Sequence, residues 1–164
     1  VSGPVGLADV PGVTMRHVQT AQEMLKACEV ALPVDIAVCA AAVADWRVDT
    51  VSAQKIKKSG AAPVLNLIEN PDILKTISSH KKRPKLVVGF ALESENVTEN
   101  AKAKLQRKGC DWIIANEAGH FGDVAHAVSL ISKDGVEEWP RMGKHEIAAK
   151  IVERIRGHLL LKKK

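Results

Sequence analysis

Short runs of small and β-branched apolar residues alternate along this chain with segments of helical periodicity. The runs lie at residues 35–42, 64–68, 86–91 and 112–116. Strands buried on both faces read as such continuous apolar runs, which is typical of parallel sheets. Strands that alternate with helices therefore predict an α/β protein with a mostly parallel, doubly wound sheet, whose run at 35–42 is a central strand.

The helix boundaries are marked by capping residues. Thr20 and Glu23 form a capping box and predict a helix to about Ala31. Asn70 and Pro71 predict a second helix start, with Asn70 as the cap and Pro71 at the first helical position.

The last part of the chain predicts two further helices and a hairpin. The helices cover residues 96–108 and about 144–161. Asp134-Gly135 lies between two apolar segments and is typical of a two-residue hairpin turn near the C-terminus.

Composition excludes several classes of protein. The 164 residues suit one domain, and the net charge of +5 falls to +2 without the three lysines at 162–164. That excess is too small to indicate a nucleic-acid partner. No apolar stretch is long enough to cross a membrane. Three cysteines without a C-x-x-C pair favour a reducing, cytoplasmic compartment.

Ligands of doubly wound sheets bind beyond the carboxyl ends of the strands, and small residues followed by Asp45 occupy one such place. Ala40, Ala41 and Ala42 would let a ligand approach the backbone, or would pack a helix tightly on the sheet. Asp45 would hold magnesium beside a triphosphate or contact a ribose or base, or would cap a turn.

A lysine cluster follows, at Lys55, Lys57 and Lys58. Ammonium groups on a mobile segment can close over phosphates and neutralise charge in a transition state. The alternative, a solvated charge run, is favoured by composition alone.

Two helices offer further positive groups. The predicted helix start at 70–74 presents free backbone amides that could bind a phosphate or the edge of a base. The alternative is an ordinary helix cap without a ligand. Lys104 and Lys108 are four residues apart, so they share a helix face that either reaches a triphosphate or is exposed to solvent.

Familiar chemistry-bearing motifs are absent from the sequence. It contains neither G-x-x-x-x-G-K-[ST] nor G-x-G-x-x-G, and no G-x-S-x-G. The six histidines are scattered and show no zinc-ligand spacing. The missing dinucleotide fingerprint counts against a dehydrogenase, the main alternative α/β nucleotide enzyme.

Six segments in order resemble one family: AAAVADW, QKIKKSG, NPDIL, VVGFALES, AKAKLQRKGCDWIIANE and the late hairpin and helix. The family is the phosphopantothenate–cysteine ligases (phosphopantothenoylcysteine synthetases), the C-terminal half of the bacterial bifunctional coenzyme A biosynthesis flavoprotein. Each segment alone is weak evidence for the family, but the six in this order are specific for it. The resemblance runs from Val1 to about Ile155.

The resemblance implies a Rossmann-like fold and a ligase that joins 4′-phosphopantothenate to L-cysteine at the expense of CTP, with Mg²⁺. An acyl-cytidylate is the intermediate. It also implies a homodimer with a lysine-bearing flap near the subunit interface, and a possible fused N-terminal flavin-dependent decarboxylase.

Matched residue by residue, the resemblance implies two catalytic residues. Asp45 would contact the nucleotide, and Lys55 would stabilise the charge of cytidylyl transfer. Other residues would line the same nucleotide site. The backbone of Cys39, Ala40 and Ala41 would contact the nucleotide, with Ala42 near the acyl-phosphate and Phe90 packed on the nucleotide. Asn116 would sit at a strand end, and the cytosine and phosphate contacts would come from Lys58, Pro71, Asp72, Ile73, Leu74, Lys104 and Lys108.

The chain departs from the family pattern in two places. It opens at V-S-G-P, without the family's first strand, first helix and Asn-x-Ser-Ser-Gly-type segment. The loop from Glu117 to Val124 is also shorter than usual. We therefore expect residues 1–164 to form a single ligase domain that turns over poorly. A nucleotide-binding module without chemistry and an oligomerisation module are the alternatives.

Overall fold

The computed structural model describes residues 1–57, 60, 62, 64–117 and 125–161. The chain forms two compact units. The first consists of Val1–Val34 and Ala40–Pro84, and the second of Asp35–Cys39 and Lys85–Lys164. Each unit is assembled from two separate stretches of sequence. The expectation of a single domain over 1–164 stays a prediction.

Four helices and seven strands make up the described chain. In order they are α1 (Ala21–Ala31), β1 (Ile36–Cys39), β2 (Trp46–Val48), β3 (Leu67–Glu69), α2 (Ile73–Ser79), β4 (Leu86–Glu93), α3 (Val97–Lys108), β5 (Trp112–Glu117), β6 (His126–Ser132), β7 (Gly135–Met142) and α4 (Lys144–Leu161).

The second unit is built on a five-stranded sheet in the order β1-β4-β5-β6-β7. β1, β4 and β5 are parallel, β6 is antiparallel to β5, and β7 is antiparallel to β6. Four of the five strands therefore run in one direction. This confirms the predicted mostly parallel sheet.

Helices cover both faces of this sheet. On one face, Ile151 and Ile155 of α4 join a buried cluster with alternate residues of β4 to β7, including Trp112 and Trp139. The intervening residues Val87, Ile113 and Ile131 are fully buried on the other face. There α3 lies against β4, β5 and β6. The sheet is thus doubly wound, as predicted.

The prediction of a central strand over residues 35–42 was wrong in position and length. Among the described strands, β1 is at one end of the sheet, and it spans only Ile36–Cys39. Val38 is 48% exposed. A continuous apolar run is typical of a strand that is covered on both faces, but both the cover and the order of strands depend on distant segments that the run does not contain.

The first unit contains α1, α2 and a two-stranded antiparallel ribbon of β2 and β3. Trp46 pairs with Glu69 and Val48 pairs with Leu67. The strand predicted at 64–68 is observed at Leu67–Glu69, and β2 was not among the predicted strands. Three residues are too few to show an alternating pattern, which explains the miss.

The predicted capping box of α1 is confirmed. Thr20 Oγ1 accepts from Glu23 N at 3.1 Å, and Glu23 Oε2 accepts from Thr20 N at 3.0 Å. The Glu23 carboxylate also accepts from Gln19 N at 2.7 Å. These backbone hydrogen bonds, first those from Gln19 and then those from Thr20, lower the pKa of Glu23.

The predicted hairpin is also confirmed, with its turn one residue earlier than expected. Ser132 pairs with Gly135, so Lys133 and Asp134 form the turn. Gly135 opens β7 with a φ of 141°, a value that favours glycine.

Candidate nucleotide site

The segment after β1 leaves backbone accessible at three successive alanines. Ala40, Ala41 and Ala42 are exposed and lie outside helices and strands. Their exposure is what the alternative of a ligand approaching the backbone requires. Their small side chains leave the main-chain groups of this segment open to a ligand.

Asp45 lies next in this segment and is tied to the start of α2 through Asn70. Asn70 N donates to the Asp45 carbonyl oxygen at 2.7 Å. Asn70 Nδ2 donates to the Ala44 carbonyl oxygen at 2.9 Å and, more weakly, to that of Trp46 at 3.4 Å. The structure thus brings together two predicted parts of the site, Asp45 and Pro71. The Asp45 side chain itself is exposed.

Arg47 adds a second link in the same place. Its Nη1 donates to the Glu69 carbonyl oxygen and to Asn70 Oδ1. A depression of about 400 Å³ adjoins this link. It is lined by Gln22, Leu25, Lys26, Glu29, Arg47, Glu69, Asn70 and Pro71. The sequence reasoning missed Arg47, although it follows Asp45 by only two positions.

The start of α2 differs from the prediction in its cap. Asp72 is the N-cap, and its Oδ1 accepts from Lys75 N at 3.0 Å, so the helix begins at Ile73. Asn70 is not the cap because its side chain bonds to Ala44 and Trp46 instead. Ile73 is buried, whereas Pro71, Asp72 and Leu74 are half-buried. The Asp72 carboxylate therefore already accepts a hydrogen bond from one of the amides at the helix start, that of Lys75.

The lysine segment is only partly described. Lys55 and Lys57 are exposed and lie outside helices and strands. Among the described residues, no ion pair or hydrogen bond engages the Lys55 side chain. Lys58 lies outside the described residues, as do residues 118–124, on which the prediction for the segment from Glu117 to Val124 falls.

The second unit holds the remaining predicted site residues. Cys39 ends β1 beside Gly89 and is half-buried. Phe90 is half-buried against the cluster on the α4 face. Asn116, near the end of β5, is in register with Leu92 of β4. Asn116 thus lies near the carboxyl end of β5, whereas Phe90 is the fifth of the eight residues of β4.

Lys104 and Lys108 lie on one face of α3. Both are half-buried, unlike Lys102 and Arg107 on the same helix, which are exposed. The two lysines therefore do not belong to a fully solvated helix face. Their long side chains can lie along the protein while the ammonium groups reach water or an anion.

The described residues contain no preformed protein metal centre. No group of three or more His, Cys, Asp or Glu side chains within them is placed to hold an ion. None of the helices in the described ranges has the length and apolar character that crossing a bilayer requires.

Comparison with known protein families matches nearly the whole chain. Residues 1–159 match the model of the DNA/pantothenate metabolism flavoprotein C-terminal domain. The coenzyme A biosynthesis bifunctional protein CoaBC of Haemophilus influenzae is 40% identical over 159 residues, covering 94% of this chain. The CoaBC of Borreliella burgdorferi is 37% identical over 156 residues, covering 93%. The chain spans 40% of the length of each relative.

Solved structures agree with this match. A crystal structure of the C-terminal domain of CoaBC superimposes with a TM-score of 0.78 at 34% identity, over 99% of this chain and 73% of that one. The Streptococcus pneumoniae DNA/pantothenate metabolism flavoprotein has a TM-score of 0.76 at 18% identity, over 92% of this chain and 76% of that one, which shows the shared fold. The chain therefore belongs to the family of DNA/pantothenate metabolism flavoprotein C-terminal domains, the family of the CoaBC C-terminal half that its sequence resembles.

Proposed function

We propose that this domain joins 4′-phosphopantothenate to L-cysteine with CTP as the energy source, in coenzyme A biosynthesis. The family membership and the names of the CoaBC relatives support this. A further structure with the same fold, at a TM-score of 0.56 and 17% identity over 75% of this chain and 44% of that one, is a Cab2 mutant in complex with phosphopantothenate-cysteine.

The reaction that we propose has two steps. The carboxylate of 4′-phosphopantothenate attacks the α-phosphorus of CTP, and pyrophosphate leaves with the bonding electrons of the broken P–O bond. The amine of cysteine then attacks the carbonyl carbon of the acyl-cytidylate, loses a proton, and expels CMP. Both steps require phosphate charge to be neutralised and water to be excluded.

The observation that carries the proposal is the pair of hydrogen bonds from Asn70 to Asp45 and Ala44. They fix Ala44 and Asp45, which follow the three alanines, against the residues that precede α2 before any ligand binds. A site held in one geometry loses less entropy on binding, as nucleotide recognition by backbone groups requires. We assign Ala40, Ala41 and Ala42 to backbone contacts with the nucleotide, and Pro71 to Leu74 to its cytosine end.

We assign the developing phosphate charge to Lys55. Its exposure and the absence of an ion pair among the described residues leave the ammonium group available to a substrate. For the second unit the resemblance alone supports the remaining assignments, with Lys104 and Lys108 at phosphates and Cys39, Phe90 and Asn116 at the nucleotide. The proposed contact of Lys58 with the nucleotide is supported by the resemblance alone.

Mg²⁺ fits this site as a partner of the triphosphate. Mg²⁺ is usually held by one or two carboxylates together with substrate phosphates, not by a cage of protein groups. The exposed Asp45 carboxylate meets that requirement, and no three-ligand cluster is present among the described residues. The ion would neutralise phosphate charge, whereas Asp45 would orient the nucleotide.

We also propose a homodimer that forms through the β2–β3 ribbon. Trp46 and Leu67 are 55% and 54% exposed, and Val51, Ile56, Val64 and Leu65 in the connecting segment are also exposed. Clustered exposed apolar side chains mark interaction sites.

All three cysteines are thiols, which supports a reducing cytoplasmic compartment.

The experiment that tests the function is product analysis by mass spectrometry. The chain is incubated with 4′-phosphopantothenate, L-cysteine, Mg²⁺ and either CTP or ATP. Formation of phosphopantothenoylcysteine together with CMP supports the proposal. Product with ATP but not with CTP would overturn the choice of nucleotide, and CTP binding without product would favour a nucleotide-binding module.

A further inference from the structure

The depression of about 400 Å³ in the first unit is lined by side chains of both charges. One wall is a face of α1, and the other is the β2–β3 ribbon with the residues that lead into α2. Two cationic and two anionic residues line it beside the apolar Leu25 and Pro71; they are Lys26, Arg47, Glu29 and Glu69. All of them belong to the first unit and to the described ranges. Such a lining offers partners to a ligand that carries charges of both signs.

The four charged side chains do not neutralise one another. Within the described part of the chain, no ion pair joins Lys26 or Arg47 to either carboxylate, although Lys26 and Glu29 are only three residues apart on α1. A simple anion would meet Glu29 and Glu69 here, and a simple cation would meet the two positive groups, so each would be opposed by like charge. A zwitterion can pair with all four.

Arg47 is half-buried and held in place, whereas the other three charged residues are exposed. Its Nη1 donates to the Glu69 carbonyl oxygen and to Asn70 Oδ1. Nε and Nη2 have no bond to any other described residue and keep their N–H groups for a ligand. A guanidinium that is already oriented binds a carboxylate through two parallel hydrogen bonds. The depression therefore holds a ready partner for a carboxylate.

We propose that this depression binds the L-cysteine substrate by its α-amino-acid head group. The α-carboxylate pairs with Arg47 and the α-ammonium group with the carboxylate of Glu69. Lys26 and Glu29 on α1 add one further charge of each sign. The choice of cysteine among amino acids rests on the proposed function, in which cysteine is the amino acid that the domain consumes.

Asn70 links the depression to the proposed nucleotide site. It lines the depression, and it also donates to the carbonyl oxygens of Asp45 and Ala44. All these residues lie in the first unit. L-Cysteine bound in the depression therefore lies next to the segment that we assign to the nucleotide.

NMR titration of the unmodified chain tests the site without CTP or the acid substrate. A phosphine reductant keeps all thiols reduced. We expect L-cysteine to bind with a Kd of about 1 mM or below. Cysteamine, which lacks the carboxylate, and 3-mercaptopropionate, which lacks the amine, should each bind about tenfold more weakly, since each leaves charged groups without a partner. L-Serine has the same head group and should bind like L-cysteine.

Variants of the two cations test the contact with the carboxylate. Lys26→Gln should weaken L-cysteine about fivefold, the effect of one exposed ion pair, and leave cysteamine unchanged. Arg47→Lys keeps the charge but loses the two parallel bonds, so it should weaken L-cysteine about tenfold. The control, Lys75→Gln at an exposed position of α2, should keep both affinities. Unchanged L-cysteine binding in Lys26→Gln and Arg47→Lys overturns the inference.

Three further outcomes are decisive. No binding of L-cysteine overturns the inference, and so does binding of L-cysteine without binding of L-serine, since the thiol would then be what is recognised. If the two cation variants weaken 4′-phosphopantothenate but not L-cysteine, the depression binds the phosphate of the acid instead.

These titrations also separate the cysteine site from the ligase proposal. Phosphopantothenoylcysteine formed by a chain that fails the titrations leaves the ligase standing. Head-group binding that responds to both variants, in a chain that forms no product, supports the site and overturns the ligase.

Discussion

Asn70 and Asp45 are joined by a backbone hydrogen bond of 2.7 Å, and the Asn70 side chain reaches the neighbouring carbonyl oxygen of Ala44 at 2.9 Å. One residue therefore fixes both the position of the Asp45 segment and the direction in which the chain enters Pro71. Asn70 contributes to the proposed site by positioning other residues, without needing to touch a substrate.

Replacing Asn70 by alanine should weaken nucleotide binding. The variant loses the Nδ2 bonds to Ala44 and Trp46 and frees Arg47 from Asn70 Oδ1. We expect the dissociation constant for CTP, measured by calorimetry, to rise about tenfold, the effect of one or two lost hydrogen bonds. Asn66→Ala, at an exposed asparagine of the same unit, should leave it unchanged. An unchanged affinity in Asn70→Ala would show that the segment keeps its geometry without this residue.

The β2–β3 ribbon should control the oligomeric state. Trp46→Glu and Leu67→Glu put charge on the apolar ribbon surface, where burial without a partner is costly. We expect each variant to shift the protein from dimer to monomer in size-exclusion chromatography with light scattering. Val152→Glu, at a 64% exposed apolar position of α4, is the control and should remain dimeric. Dimers in both ribbon variants would place the interface elsewhere.

The sequence predicted those secondary-structure elements that are determined by residues close to one another in the chain. The capping box at Thr20, the strands around Ile113 and the hairpin before Gly135 all depend on residues close together in the chain. It failed where the cause is distant. β1 was predicted as central because its apolar run cannot show which strands flank it. Asn70 was predicted as a helix cap because its real partners, Ala44 and Trp46, belong to another segment.

The same distinction holds for the site. Asn116 could be placed near a strand end from the order of elements alone. Arg47 could not, because its position depends on the pairing of β2 with β3. Strand pairings of this kind are not encoded in any single stretch of sequence.

Asp111 should be important for stability. Its Oδ2 accepts from Val87 N at 2.7 Å, and Val87 is fully buried in β4. Asp111→Ala leaves that amide unsatisfied, so we expect the free energy of unfolding to fall by about 1–3 kcal/mol. Urea denaturation measures it, with Glu153→Ala on the exposed side of α4 as a control that should change little. Equal midpoints for the two variants would mean that water replaces the carboxylate.

The capping box of α1 predicts a pH-dependent stability. The pKa of Glu23 is lowered by the amides that it accepts from, so its contribution is full above its ordinary value of 4.5. The contribution is lost as the pH falls through the lowered pKa of the folded protein. Glu23→Gln should therefore melt at a lower temperature than the unmodified chain at pH 7, and the difference should shrink below pH 4.5. A difference that stays constant to acid pH would contradict the role of the charge.

Thr20→Ala tests the other half of the capping box. The variant removes the Oγ1 acceptor of Glu23 N and should lower the free energy of unfolding by about 1 kcal/mol. Thr20→Ser keeps the acceptor and should be close to the unmodified chain in the same urea denaturation. Equal loss in both variants would point to the methyl group instead of the hydroxyl.

Pyrophosphate release from CTP tests the central proposal most directly. The chain is assayed with Mg²⁺, with and without 4′-phosphopantothenate, beside Lys55→Ala and the neighbouring control Lys57→Ala. We predict release that depends on 4′-phosphopantothenate, falls about 10²–10³-fold in Lys55→Ala, and persists in Lys57→Ala. Release that is indifferent to 4′-phosphopantothenate, or equal in the two lysine variants, would contradict cytidylyl transfer assisted by Lys55.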